Sequence, residues 1–370
     1  MNKLESLVPG ERPEPPTGPR RGEAVFEHRE FNQHERVCFV VDERAGLQAI
    51  IAVHSTLRGP AVGGCRMWHY PTSADALADV LRLSRGMSLK AAVADLPLGG
   101  GKAVIMRPKG SYDRRRVMEA FGKAVDEFGG TYWTAEDVGT SVDDMEVIAS
   151  RTRYVAGRAS GRRASGDPSP FTAFGVATCL QAAVDHLWAA KSLSGLEIAV
   201  QGLGNVGMEL CRILHDSGAR LIVADIDERK TRAAIEAFGA RAVGVDQIHA
   251  SKCDVLAPCA LGGVLNARTI PHIRARLVCG AANNQLETID DATRLQQRGI
   301  TYAPDFIANA AGICSVASEI LDINDPAWVR TRITALGQTL RDVLARSAES
   351  HETTAVIAER IARSRIEDAR

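Results

Sequence analysis

LEIAVQGLGNVGMELCRILHDSGARLIVADID, residues 196–227, reads as a strand, a glycine turn, a helix and a second strand. Leu196–Val200 supplies the first strand, and Gly202, Gly204 and Gly207 form GxGxxG directly after it. In that context Gly202 makes the sharp turn, Gly204 leaves room for a pyrophosphate and Gly207 lets helix and strand pack closely. The helix opening at Asn205 and Val206 offers amide donors and positive potential to phosphates. Leu210, Ile213 and Leu214 mark its inward face at helical spacing. The second strand, Arg220–Ala224, ends at Asp225, whose carboxylate can accept hydrogen bonds from the adenosine ribose of NAD and repel the extra phosphate of NADP. Asp227 adds to that negative field and Arg229 subtracts from it. The plain alternative, a surface aspartate, does not account for the strand, loop and helix around it. CDVLAPCA (253–260) and RLVCGAANN (276–284) read as later strands of the same parallel sheet, with their C-terminal ends facing the cofactor crevice.

Working outward, 370 residues exceed one usual domain, so two are expected. Forty-five basic and 45 acidic residues cancel, which implies no broad attraction to nucleic acid or membrane. No apolar run is long enough for a span. Residues 1–22, with five prolines in the first 20, read as a flexible tail without a signal segment, and a cytoplasmic location is expected. The eight cysteines form no CxxC and the nine histidines no HExxH. Free buried thiols and no metal are expected.

VCFVVDERAGLQAIIAVHST, 37–56, predicts two strands joined near Asp42–Gly46. Thr72 and Asp75 open a helix that should end around Gly86–Lys90. Another helix is predicted from about Arg114 to Glu127, and a short strand over Thr131–Thr134. Residues 155–171 are rich in Gly, Ser, Pro and Arg and read as a connector or hinge. Its Arg158, Arg162 and Arg163 either attract an anion or are simply solvated. A helix bearing Phe174, Val176, Leu180 and Val184 follows.

LPLGGGKAVI, 96–105, brings three glycines against Lys102 and an apolar run. Either a tight turn lets the lysine snorkel outward, or a restrained amine meets a substrate. The residues alone also leave Lys90 as a helix-end lysine, Asp137 as a cap for the polar run near Gly139, and Asn283 as a partner for strand-end backbone.

Taken together, GPAVGGCRMW, RLSRGMSLKAA, LPLGGGKAVI, YWTAEDVGTS, DPSPFTAFGV, QGLGNVG, APCALGGVLN, GAANNQL and YAPDFIANAAG resemble the glutamate/leucine/phenylalanine/valine dehydrogenase family, over about His54 to Glu319. The likeness is strongest to its branch acting on hydrophobic amino acids. It implies a two-domain α/β fold: a substrate and oligomerisation domain over 23–156, completed by a C-terminal helix at 349–370, and a Rossmann NAD-binding domain over 157–348. It implies NAD-dependent oxidative deamination of an L-amino acid to a 2-oxo acid and ammonium, by a homo-oligomer, octamer or dimer, with the substrate in the cleft between the domains. By motif, Lys90 is implied to bind the substrate carboxylate, Lys102 to be the catalytic lysine and Asp137 the proton-transfer aspartate. Asn283 is implied to lie near substrate and nicotinamide, and Thr172 at the cofactor's carboxamide end. For water to add to the oxidised substrate, Lys102 must be neutral. A nearby charged Lys90 and exclusion of water would favour that form.

Departures within the family bear on the pocket. Val62 stands where glutamate-directed members have a lysine, so a buried distal carboxylate would have no partner. Gly63 and Gly64 are expected to leave room beside Val62 and Met87. Ala135, Val316 and the added wall of Ile313 favour leucine, isoleucine or valine over phenylalanine. Other motifs look equally like phenylalanine-directed relatives. Ala311, where NAGG is more usual, is expected to reshape the pocket or shift a strand. A rival reading is an NAD-binding regulatory or structural protein without turnover.

Overall fold

The computed structural model of this protein describes residues 25–158, 167–189 and 192–369. The tail at 1–22, Arg162 and Arg163 lie outside them. Strands β1 (Arg36–Asp42), β2 (Leu47–Ser55) and β3 (Ala61–Trp68) lead into helix α1 (Ser73–Val93) and strand β4 (Gly99–Met106). Helix α2 (Arg114–Asp126), strand β5 (Tyr132–Glu136) and helix α3 (Val142–Ala149) complete the first unit. Its sheet runs β1-β2-β4-β3-β5, with β1, β2 and β4 antiparallel and β4, β3 and β5 parallel. Helix α1 begins with the predicted capping box, since Thr72 accepts from the Asp75 backbone and Asp75 from that of Thr72. It runs past Gly86 to Val93, with Gly86 inside the helix.

The GGG stretch is not a turn. Gly99, Gly100 and Gly101 are the first residues of the central strand β4. A Cβ on Gly100 would lie 2.1 Å from the Ser88 nitrogen, and one on Gly101 2.7 Å from the Tyr132 ring. The glycines let α1 close onto one face of the sheet and Tyr132 onto the other.

Helix α4 (Ser169–Trp188) carries the chain into the second unit. There β6 (Glu197–Gln201), α5 (Asn205–Asp216), β7 (Arg220–Ala224), α6 (Glu228–Phe238) and β8 (Arg241–Ala242) form one half. Strands β9 (Val255–Pro258) and β10 (Leu277–Val278), helix α7 (Asp290–Gln297) and strand β11 (Thr301–Tyr302) form the other. All six strands are parallel in the order β11-β10-β9-β6-β7-β8, a doubly wound Rossmann sheet. Helices α8 (Asp305–Ala308), α9 (Ala311–Ile320) and α10 (Pro326–Ser350) follow, and α11 (Thr354–Glu367) returns to pack on α1. Ala311 therefore opens a helix and belongs to no strand. Its methyl fills the notch at Gly175 of α4, where an added Cβ would come within 2.3 Å of it. Ala311 does not line the cleft described below, whereas Gly312 does.

No helix among the described residues is long and apolar enough to cross a membrane.

Candidate active site

Lys102 sits in the middle of β4, flanked by β2 and β3, with its side chain 8% exposed. From that central strand its side chain points into the cleft between the two units rather than onto the outer surface. Its Nζ reaches Oδ2 of Asp137, 3.0 Å away, just beyond the end of β5. The Nε of Arg66 donates to the same oxygen at 3.1 Å. Burial alone would raise the Asp137 pKa, but the charges of Lys102 and Arg66 outweigh it and hold the carboxyl down to about 2. Asp137 is thus no helix cap; Ser141 and Asp144 cap α3. The group touching Lys102 is a carboxylate, and Lys90 lies near enough for the two lysines to repel each other.

Lys90 projects from the last turn of α1, and its Nζ donates to Oδ1 of Asn283 at 3.1 Å. Asn309 donates to that same oxygen at 3.0 Å, so Asn283 is gripped from both sides of the cleft. Burial lowers the Lys90 pKa to about 8, with Asp305 opposing the fall and Lys102 adding to it. Asp305 is itself pushed up by burial, against the pull of Lys90 and of backbone donors at Gln285 and Asn284.

These groups face a cavity of about 700 Å³ between the two units. Val62, Gly63, Gly64, Met87 and Ala135 line it from the first sheet and α1, and Thr172, Asn283, Ile313 and Val316 from the second unit. The glycines answer mainly to backbone. A Cβ on Gly63 would lie 1.8 Å from the Gly101 carbonyl oxygen, and one on Gly64 2.5 Å from that of Glu136. Arg66, Arg82 and Arg85 also reach the wall, but each is paired, with Asp137 and Asp79, with Asp79, and with Glu359 respectively.

Asn205 and Val206 join the cavity at the start of α5, while Gly202, Gly204, Gly207 and Asp225 lie outside it. Gly202 has φ +94°, a Cβ on Gly207 would meet the Gly202 carbonyl oxygen at 2.0 Å, and one on Gly204 would meet nothing within 4 Å. No side chain caps α5, so its first amides are left to a ligand. The Asp225 carboxylate accepts from the backbone of Leu203 at 2.6 Å and of Asp227 at 2.8 Å, which ties the turn to the end of β7. Asp227 caps α6 and pairs with Arg229, so the two offset each other locally. An open glycine, a bare helix start and a carboxylate at the next strand end fit a dinucleotide.

The sequence reading missed Arg66, Asp79, Asp305 and Asn309. Alternation along β3 could have found Arg66, because Val62, Gly64 and Arg66 share one face while Cys65 and Met67 enter the core.

A mixed-sheet unit facing a Rossmann unit across a cleft that holds two lysines and a buried carboxylate makes this a two-domain protein of the α/β class. Residues 34–154 match the dimerisation domain of Glu/Leu/Phe/Val dehydrogenases, and 165–230 with 222–366 match glutamate/leucine/phenylalanine/valine dehydrogenase. The chain belongs to this family. It is 43% identical over 346 residues to leucine dehydrogenase of Geobacillus stearothermophilus, covering 94% of each chain. It is 40% identical over 348 residues to L-tryptophan dehydrogenase of Nostoc punctiforme, covering 94% of this chain and 97% of that one. The crystal structure of the Nostoc punctiforme enzyme superposes with a TM-score of 0.79 at 39% identity, over 91% of this chain and 97% of that chain.

Proposed function

We propose that this protein catalyses the NAD-dependent oxidative deamination of a hydrophobic L-amino acid, with leucine, isoleucine or valine favoured, to a 2-oxo acid, ammonium and NADH. The observation that carries the reading is the buried Lys102–Asp137 pair in a cleft that also holds Lys90. Bound NAD would accept the hydride from the substrate Cα. Gly202, Gly204, Gly207, Asn205 and Val206 would hold its phosphates, Asp225 its ribose, and Thr172 and Asn283 its nicotinamide end.

Lys90, hydrogen-bonded to Asn283, pairs with the substrate carboxylate, and the substrate ammonium gives up one proton by way of Asp137 to solvent, so that loss of the Cα hydride leaves an iminium. Lys102 takes a proton from water as the water adds to the substrate iminium. The resulting carbinolamine then releases ammonia. Asp137, within hydrogen-bond reach of Lys102, offers the path by which that amine loses and regains protons. Val62 with Met87, Ala135, Ile313 and Val316 forms the apolar wall, and the nearby arginines already have carboxylate partners, so a glutamate side chain finds no free cation. A homo-oligomer is proposed in line with the matched dimerisation domain.

A second reading, an aromatic L-amino acid substrate, draws support from the 40% identity to an L-tryptophan dehydrogenase. NADH absorbance measured with leucine, valine, isoleucine, phenylalanine and tryptophan tests both. Turnover of none of these, with NAD still bound, would favour the non-enzymatic rival.

A further inference from the structure

Arg66 lies on β3 with its side chain 17% exposed, between two carboxylates that are themselves 14–15% exposed. Its Nε donates to Asp137 Oδ2 at 3.1 Å, and its Nη1 donates to Asp79 Oδ2 at 3.0 Å. The hydroxyl of Tyr70 donates to that same Asp79 oxygen at 2.7 Å, and Arg82 to the other at 2.9 Å. We propose that Arg66 is a positioning residue of the reaction: its guanidinium holds the Asp137 carboxyl aimed at Lys102 and favours its return to the carboxylate after each proton has passed, and Asp79 with Tyr70 keeps the guanidinium in place.

The argument rests on the function proposed above, in which Lys102 changes charge during each turnover. When Lys102 is neutral, Asp137 loses its nearest cation while still buried. Lys90, Asp79, Tyr70 and Glu136 also surround it, and of these only Lys90 is a cation, one already weakened by burial. A guanidinium stays charged throughout, so it compensates the carboxylate in both states of the lysine. Its fork is also what lets one side chain serve two carboxylates at once.

The test uses the full-length Arg66→Gln protein. Because that change strands the Asp79 carboxylate, Arg66→Gln/Asp79→Asn is made beside it, with circular dichroism to establish folding. The expected result is a fall in kcat of about 100-fold, with the amino acid KM moved by less than about threefold. In protein labelled with 13C at aspartate Cγ, the Asp137 signal, assigned by its loss in Asp137→Asn, should titrate about one pH unit or more higher than in the parent. Added guanidinium should restore part of the kcat of Arg66→Ala. A folded variant with parental kcat would overturn the proposal. So would a lower kcat with an unmoved Asp137 titration, which would leave Arg66 a tie between β3 and α1. The carboxyl titration needs no turnover. A parent protein inactive on every amino acid would therefore sink the proposed function while leaving the hold of Arg66 on Asp137 separately measured.

Discussion

Lys102 and Asp137 meet at 3.0 Å in a site where both side chains are almost wholly withdrawn from solvent. An exposed pair of this kind would contribute little. Here Lys102 on β4 and Asp137 just past the end of β5 meet across the intervening strand β3, and the loss of either partner leaves a buried charge exposed to desolvation cost.

Lys102→Ala should therefore abolish turnover, with kcat down by about 100-fold or more. NAD affinity, measured by fluorescence titration, should stay within about threefold of the parent, because Gly202, Gly204, Gly207 and Asp225 lie outside the cavity that Lys102 lines. Near-normal kcat would remove Lys102 from the chemistry.

The Lys90 ammonium, lowered to about 8 by burial, binds a carboxylate only while protonated. As pH rises through about 8 the cation is lost, so kcat/KM for the amino acid should fall on that limb. In Lys90→Ala the KM for the amino acid should rise far more than the KM for NAD. Steady-state profiles of parent and variant against pH check both statements.

For Asp137 the folded pKa of about 2 lies below the ordinary 3.8. The stability it contributes is thus fully present above the ordinary value and is lost as pH falls through the folded one. Asp137→Asn should flatten the acid limb of the unfolding midpoint between those values, as followed by circular dichroism. An unchanged limb would mean that the carboxylate is not held by Lys102 and Arg66.

Gly100→Ala should destabilise the fold by about 3 kcal/mol or more, since backbone atoms of α1 cannot retreat from the new methyl. Gly204→Ala, whose Cβ meets open space, should leave the thermal midpoint nearly unchanged and weaken NAD binding instead. Equal effects of the two changes on thermal unfolding would contradict the assigned roles.

Ala135→Gly should move preference toward phenylalanine by about 1–3 kcal/mol, up to roughly 100-fold in the ratio of kcat/KM values. Competition between leucine and phenylalanine reads this directly. A parent protein that already prefers phenylalanine would overturn the apolar-wall reading while leaving the reaction class intact.

The Rossmann half was legible because its signals are local. Within 196–227 the strand, the GxGxxG turn, the helix and Asp225 follow one another, and each imposes its own periodicity or residue type. The capping box at Thr72 and Asp75 was readable for the same reason. The first sheet was less so. The GGG stretch looked like a turn because glycine is commonest where φ is positive, yet here the demand comes from Ser88 and Tyr132 across the sheet. Helix α3 went unread inside a polar segment, although Ser141 and Asp144 form a capping box.

The chain's order of residues was enough to determine the dinucleotide loop, the types of most elements and the lysines worth following. Which group each lysine touches was decided only by tertiary structure. Lys102 and Asp137 are far apart in the chain, as are Lys90 and Asn283, and no local pattern encodes a contact near 3 Å between them. Such contacts exist because sheet register and the closure of two units over one cleft fix side chains that backbone periodicity leaves independent.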